Sequence, residues 1–178
     1  TLESLVEFYV LDMLKVDRLQ RMFEQSANDC ISSDNTLDEV IENARRCYGK
    51  WIGKTQGFFT KLLKDSGWPL SDKQYNAEVF DNFVSPVLKE NGRRIAYFMV
   101  DALRYELGAE LHNQLIDSGI TNLYSACALL PTVTSVGMAS LLPNASTKIS
   151  LKKTDDGFEV NYGDKPVGTV PQRMGILR

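Results

Sequence analysis

The sequence predicts an α/β fold preceded by a helical region, and three observations carry that expectation. Over residues 1–91 the apolar side chains recur at helical spacing in three successive stretches. Residues 95–100 then form a continuous apolar run directly after Gly92, the pattern of a strand covered on both faces. An amphipathic segment and a second apolar run follow, so that strand, helix and strand fit within about 36 residues, the size of a right-handed βαβ unit with a parallel pair.

Taken in order, the first helix runs from Leu2 to about Asn28, with Leu5, Tyr9, Val16, Leu19 and Phe23 along one side and Val6, Val10 and Met13 beside them. A Ser, Asn and Asp-rich stretch from Ser26 to Asn35 leads into Thr36-Leu37-Asp38-Glu39, a capping-box spacing that starts a second helix. That helix presents Leu37, Ile41, Ala44, Tyr48, Trp51, Phe58 and Leu62 on one face and ends near Gly67-Trp68-Pro69. Gly49, Gly53 and Gly57 lie four apart inside it, a stripe that suits close approach of a neighbouring helix backbone. A third helix is expected over residues 71–84, bent or restarted at Ser85-Pro86. Residues 1–91 therefore read as a helical region and residues 92–178 as a second domain.

In that second domain the first strand is Ile95 to Val100 and the crossover helix about Leu103 to Asp117, with Leu103, Leu107, Leu111 and Leu115 in line and Gly119 as its stop. The second strand lies within Ile120 to Leu130, and a short helix covers about Ser135 to Leu142. Residues 148–152 and 158–162, joined by Thr154-Asp155-Asp156-Gly157, form a β-hairpin with an Asp-Gly turn, expected as an insertion at the sheet edge.

The 178 residues are 43 % apolar and 24 % charged, which excludes disordered and collagen-like classes. The net charge is −4 over residues 1–91 (11 basic against 15 acidic) and +1 over residues 92–178 (9 against 8), so neither part has the basic excess of a dedicated nucleic-acid binder. Three distant cysteines, Cys30, Cys47 and Cys127, suggest reduced thiols rather than disulfides or a zinc knuckle. Without a secretory-type start or a spanning apolar run, a soluble cytoplasmic protein away from membranes is expected.

Asp101 falls at the carboxyl end of the first expected strand, and Thr132, Thr134 and Ser135 just beyond the end of the second, the edge where open α/β sheets bind ligands. Hydroxyls at a helix start can hold a phosphate, and one of them can act as nucleophile if its pKa is lowered. Helix capping is the simpler account of that cluster on spacing alone, and Asp101 can likewise be an ordinary strand-to-helix cap. The single histidine, His112, sits mid-helix away from this edge.

The stretch Val100-Asp101-Ala102-Leu103-Arg104-Tyr105-Glu106, followed by Leu130-Pro131-Thr132-Val133-Thr134-Ser135-Val136-Gly137-Met138-Ala139-Ser140-Leu141-Leu142-Pro143, resembles the opening of the PglZ domain. The resemblance implies a fragment of a metal-dependent phosphatase-like hydrolase of the alkaline phosphatase superfamily, associated with bacteriophage exclusion (BREX) defence in bacteria. It implies the first part of that superfamily's parallel sheet, two metal ions, commonly zinc, and other defence-complex proteins as partners. By motif, Asp101 is the implied metal ligand and Thr134 the nucleophile, also on the metal, with Thr132 the second choice. Arg104 is either a substrate-binding residue or a salt-bridge partner, and Glu106 is structural.

Two departures matter. Related phosphodiesterases carry Asn three residues after the nucleophile, where this chain has Gly137. The later histidine ligands of the superfamily have no counterpart after Met138, so the chain alone is expected to be catalytically silent. A non-catalytic scaffold within a defence complex is the alternative reading.

Overall fold

The computed structural model describes residues 1–30, 36–68, 70–155 and 157–177. The chain divides into two compact units: Thr1–Leu70 with Arg104–Leu123, and Ser71–Leu103 with Tyr124–Arg178. The grouping does not follow the linear order split at residue 91, because residues 71–91 cluster with the C-terminal part and residues 104–123 with the first helices.

The first unit is helical. Helix α1 (Leu2–Phe8) starts where the Thr1 hydroxyl accepts the Ser4 N–H at 3.2 Å, and it continues through a π turn (Tyr9–Met13) into α2 (Leu14–Asp29). The expected single helix is present, but the π turn alters its phase. A π turn takes about one residue more than an α turn, so the position two turns beyond Tyr9 is Asp17 rather than Val16. The Tyr9 hydroxyl accordingly reaches Asp17 Oδ2 at 2.7 Å, while Val16 and Leu19, expected inward, are exposed.

Helix α3 (Thr36–Ser66) begins and ends where expected, with Gly67 at φ +77° and its N–H on the Leu63 carbonyl at 2.9 Å. The capping contact expected of Thr36 and the prolyl breaker at Pro69 fall outside the described residues. Leu37 and Phe58 of its expected apolar face are exposed. The glycine stripe is corrected as well: a Cβ added at Gly49, Gly53 or Gly57 meets nothing within 4 Å, so no helix backbone packs there among the described residues. Helix α5 (Tyr105–Leu115) extends as a 3₁₀ turn to Ser118 and stops at Gly119. Leu111 and Leu115 are exposed, and the residue it buries completely is Glu106.

In the second unit, residues 71–75 are not helical. The expected third helix is instead a 3₁₀ turn (Asn76–Glu78), a π turn (Phe80–Val84) and a restart at Pro86 in α4 (Ser85–Leu88). Further along come α6 (Thr134–Ala139), α7 (Ala145–Lys148), β1 (Ile149–Thr154), β2 (Gly157–Tyr162), β3 (Lys165–Pro166) and α8 (Val170–Leu177). β1 and β2 pair antiparallel from Ile149 opposite Tyr162 to Thr154 opposite Gly157, the expected hairpin, with Asp156 of its turn outside the described residues. β3 adds on β2, giving the order β1-β2-β3.

The hairpin is not a peripheral insertion. Val160 and Val167 join Val136, Ala139 and Leu142 in one buried apolar cluster, so the sheet and α6 share the core of this unit. The expected parallel strand pair is absent among the described residues: residues 93–100 and 119–126 form no ladder, and the parallel pairing present is an isolated bridge between Tyr75 and Cys127. An apolar run of this kind becomes a strand only when both faces are covered, and here Phe98 remains 83 % exposed. The chain is thus a mixed α/β protein with a small antiparallel sheet.

Candidate active site

The second unit brings together two residues far apart in sequence. The extended run 95–100 is pinned at Tyr97, whose hydroxyl donates to the Leu141 carbonyl at 3.1 Å and whose ring meets Phe80 edge-on, with centroids 5.7 Å apart. Asp101 follows this anchored run. The next residue, Ala102, has φ +53°, a left-handed conformation that is strained for a side chain with a Cβ. In that turn the Ala102 N–H donates to Asp101 Oδ1 at 3.0 Å, which fixes the carboxylate over its own backbone.

The other carboxylate oxygen, Oδ2, accepts the Thr134 hydroxyl at 3.0 Å. Thr134 is the first residue of α6, which is seated because Val136 and Ala139 are buried in the core and the Ser140 hydroxyl closes on the Gly137 carbonyl at 2.7 Å. The helix N-cap is Val133, so the capping account of the hydroxyl cluster does not describe Thr134: its hydroxyl is engaged by Asp101 and not by the helix amides. Both side chains are exposed and accessible from solvent. Thr132 is exposed too, and hydrogen-bonds to nothing among the described residues, so Asp101 meets Thr134 and not the second-choice threonine.

A carboxylate and a hydroxyl are hard oxygen donors of the kind that divalent cations take. They do not complete a site, since no group of three or more His, Cys, Asp or Glu side chains able to hold a metal occurs among the described residues. The histidine, His112, belongs to α5 in the other unit.

Arg104 belongs to the first unit, where its terminal nitrogen donates to Glu106 Oε1 at 2.8 Å while Arg21 Nε donates to Oε2 at 3.3 Å. Glu106, fully buried, is held by two guanidiniums, the structural role expected of it. The polar interior around Asp17, to which the Tyr48 hydroxyl also donates at 2.9 Å, went unrecognised in the sequence. Its one signal is an acidic residue eight positions after a tyrosine, which matters only once the π turn is known.

The profile of the family described as "BREX system PglZ alkaline phosphatase-like domain" matches residues 79–178. The chain belongs to the PglZ family. A protein named alkaline phosphatase-like protein PglZ from Bacillus cereus (strain H3081.97) is 30 % identical over 130 residues, which is 72 % of this chain and 14 % of the relative. Alkaline phosphatase-like protein BrxZ from Escherichia coli O9:H4 (strain HS) is 28 % identical over 187 residues, 96 % of this chain and 20 % of the relative. This PglZ chain therefore spans no more than about a fifth of the length of these two relatives. No solved structure matches it. Among the described residues no helix is long and apolar enough to cross a membrane.

Proposed function

We propose that this chain carries the opening part of the catalytic centre of a phage-defence phosphoester hydrolase, with Thr134 as nucleophile and Asp101 as the carboxylate that holds its hydroxyl and contributes to a metal site. The observation that supports this reading is the 3.0 Å hydrogen bond between the two side chains, each inside a motif of the family and 33 residues apart. On this reading Thr134 Oγ1 attacks phosphorus in line, its proton passing along the hydrogen bond to Asp101 Oδ2 and on to water; the ester oxygen leaves and takes a proton from solvent as the alcohol, and water then hydrolyses the phosphothreonine, releasing phosphate and restoring the hydroxyl. The Ala102 turn aims one Asp101 oxygen at the hydroxyl and ties down the other. A divalent cation, when bound, would supply Lewis acidity that lowers the hydroxyl's pKa, with Asp101 and Thr134 among its oxygen donors. The exposed apolar run 95–100 is read as the first strand of the larger parallel sheet of a longer protein, which provides the remaining ligands.

The test uses a full-length PglZ protein containing this chain, assayed for hydrolysis of an aryl phosphate and an aryl phosphodiester and for bound zinc. Thr134→Ala is expected to lower turnover by about three orders of magnitude or more with metal retained, and Asp101→Ala to lower zinc content. Full activity in Thr134→Ala, or its loss in Thr132→Ala instead, would overturn the assignment. Absence of bound zinc and of activity in the intact protein would favour the scaffold. The 178 residues alone, with zinc added, are expected to show no hydrolysis above a Thr134→Ala control.

A further inference from the structure

We propose that Tyr97 and Asp81 are positioning residues: acting through Leu141 and Asn144, they hold Thr134 at hydrogen-bonding distance from Asp101. This role rests on the reading of Thr134 as the nucleophile. It concerns what sets the geometry of the pair rather than the pair itself.

Two segments carry Asp101 and Thr134. One is the extended run from Tyr97 to Asp101, about 13 Å long at roughly 3.3 Å per residue. The other is α6 with the turn after it, from Thr134 to Leu141, about 10 Å at roughly 1.5 Å per residue. Lengths this similar let the two be tied at both ends. Thr134 donates to Asp101 at one end at 3.0 Å, and Tyr97 donates to the Leu141 carbonyl at the other at 3.1 Å. Asp101 and Thr134 are exposed, so water competes for their hydrogen bond, whereas Tyr97 is half-buried and its tie is the better protected.

The π turn Phe80–Val84 reaches both segments. The Phe80 ring meets the Tyr97 ring, and both oxygens of the adjacent Asp81 carboxylate accept the Asn144 N–H, at 3.1 and 3.0 Å. Asn144 needs such a hold, because its φ of +53° lies in the left-handed region that a Cβ disfavours, and an ionised acceptor makes the stronger kind of hydrogen bond. The turn that closes the Thr134 segment is thus fastened to the element that backs the Asp101 segment. With both on one support, the hydroxyl and the carboxylate have little freedom to separate, and a nucleophile loses rate steeply when it drifts from its aligned position.

The test uses a full-length PglZ protein containing this chain, with Tyr97→Phe, Asp81→Ala and Asp81→Asn. It reads kcat and KM for an aryl phosphate, and the Thr134 methyl resonance by NMR of threonine-labelled protein. Tyr97→Phe and Asp81→Ala are each expected to lower kcat about tenfold with KM and bound zinc unchanged, and to move the Thr134 methyl toward its position in Asp101→Ala. Asp81→Asn keeps an acceptor for the Asn144 N–H and should restore most of the rate. A merely structural role would lower the melting temperature and leave kcat of the folded enzyme alone. Unchanged kcat in the folded variants, an unmoved Thr134 methyl, or Asp81→Asn as slow as Asp81→Ala would overturn the proposal. Whichever of Tyr97→Phe and Asp81→Ala folds decides if the other does not. Full activity in Thr134→Ala, or none in the intact protein, is instead the failure of the nucleophile reading, and the methyl shift then decides by itself whether the two residues place Thr134.

Discussion

Asp17 is 7 % exposed, and two phenolic hydroxyls serve it, from the π turn after α1 and from α3. A hydrogen bond to a buried charge contributes about 1.5–3 kcal/mol, so Tyr48→Phe should lower the stability of the chain by that amount in urea unfolding, more than Phe at an exposed tyrosine. Burial, reinforced by the Asp17 carboxylate, pushes the hydroxyls of Tyr9 and Tyr48 above the usual tyrosine range. Burial alone pushes Tyr97 up to about 12. A raised folded pKa means that the associated stability is complete below the unfolded value of about 10 and is lost as pH climbs through the folded value. In a phenolate absorbance titration of the folded chain, Tyr97→Phe is therefore expected to remove a component near pH 12, and the stability linked to this hydroxyl should decline as pH climbs from about 10 through that value. A Tyr97 component appearing at the ordinary tyrosine value would contradict the burial of its hydroxyl. At this scale the meeting of Asp101 with Thr134 was legible, because each lies in a short motif whose residues are contiguous. The Asp17 cluster was not, because its members come from three helices.

Among the elements, α3 offers a direct measurement. Gly49, Gly53 and Gly57 lie in open space inside a 31-residue helix, and alanine removes a backbone entropy cost of about 1 kcal/mol at each. Gly53→Ala should raise stability by roughly that amount in urea or thermal unfolding, and a loss instead would show that the position is covered by something else. The boundaries of α3, α5 and the hairpin were readable because local signals set them: Gly67 and Gly119 after the last helical turns, and turn residues between two alternating runs. The phase of α1 and α2 was not, since a spacing argument assumes 3.6 residues per turn throughout and Tyr9–Met13 does not obey it. Exposed Val16 and Leu19 are the direct result. The run 95–100 misled for another reason: its composition reports what a strand there would need, namely cover on two faces and paired edges, and the described residues do not supply them.

Over the whole molecule the mixed α/β class and the family were readable, while the order in which the chain visits its two compact units depends on contacts between distant segments. A linear reading placed one border near residue 91. By contacts, the polypeptide changes compact unit three times, after Leu70, Leu103 and Leu123. Such threading has a practical outcome for anyone trimming the gene. No single cut releases either half intact: stopping before Arg104 strips the helical unit of α5 and leaves Arg21 without Glu106, while starting at Gly92 discards the Phe80 ring against which Tyr97 rests. The two parts are woven from shared thread, so expression trials, proteolytic nicking and circular permutation should respect all three crossings together.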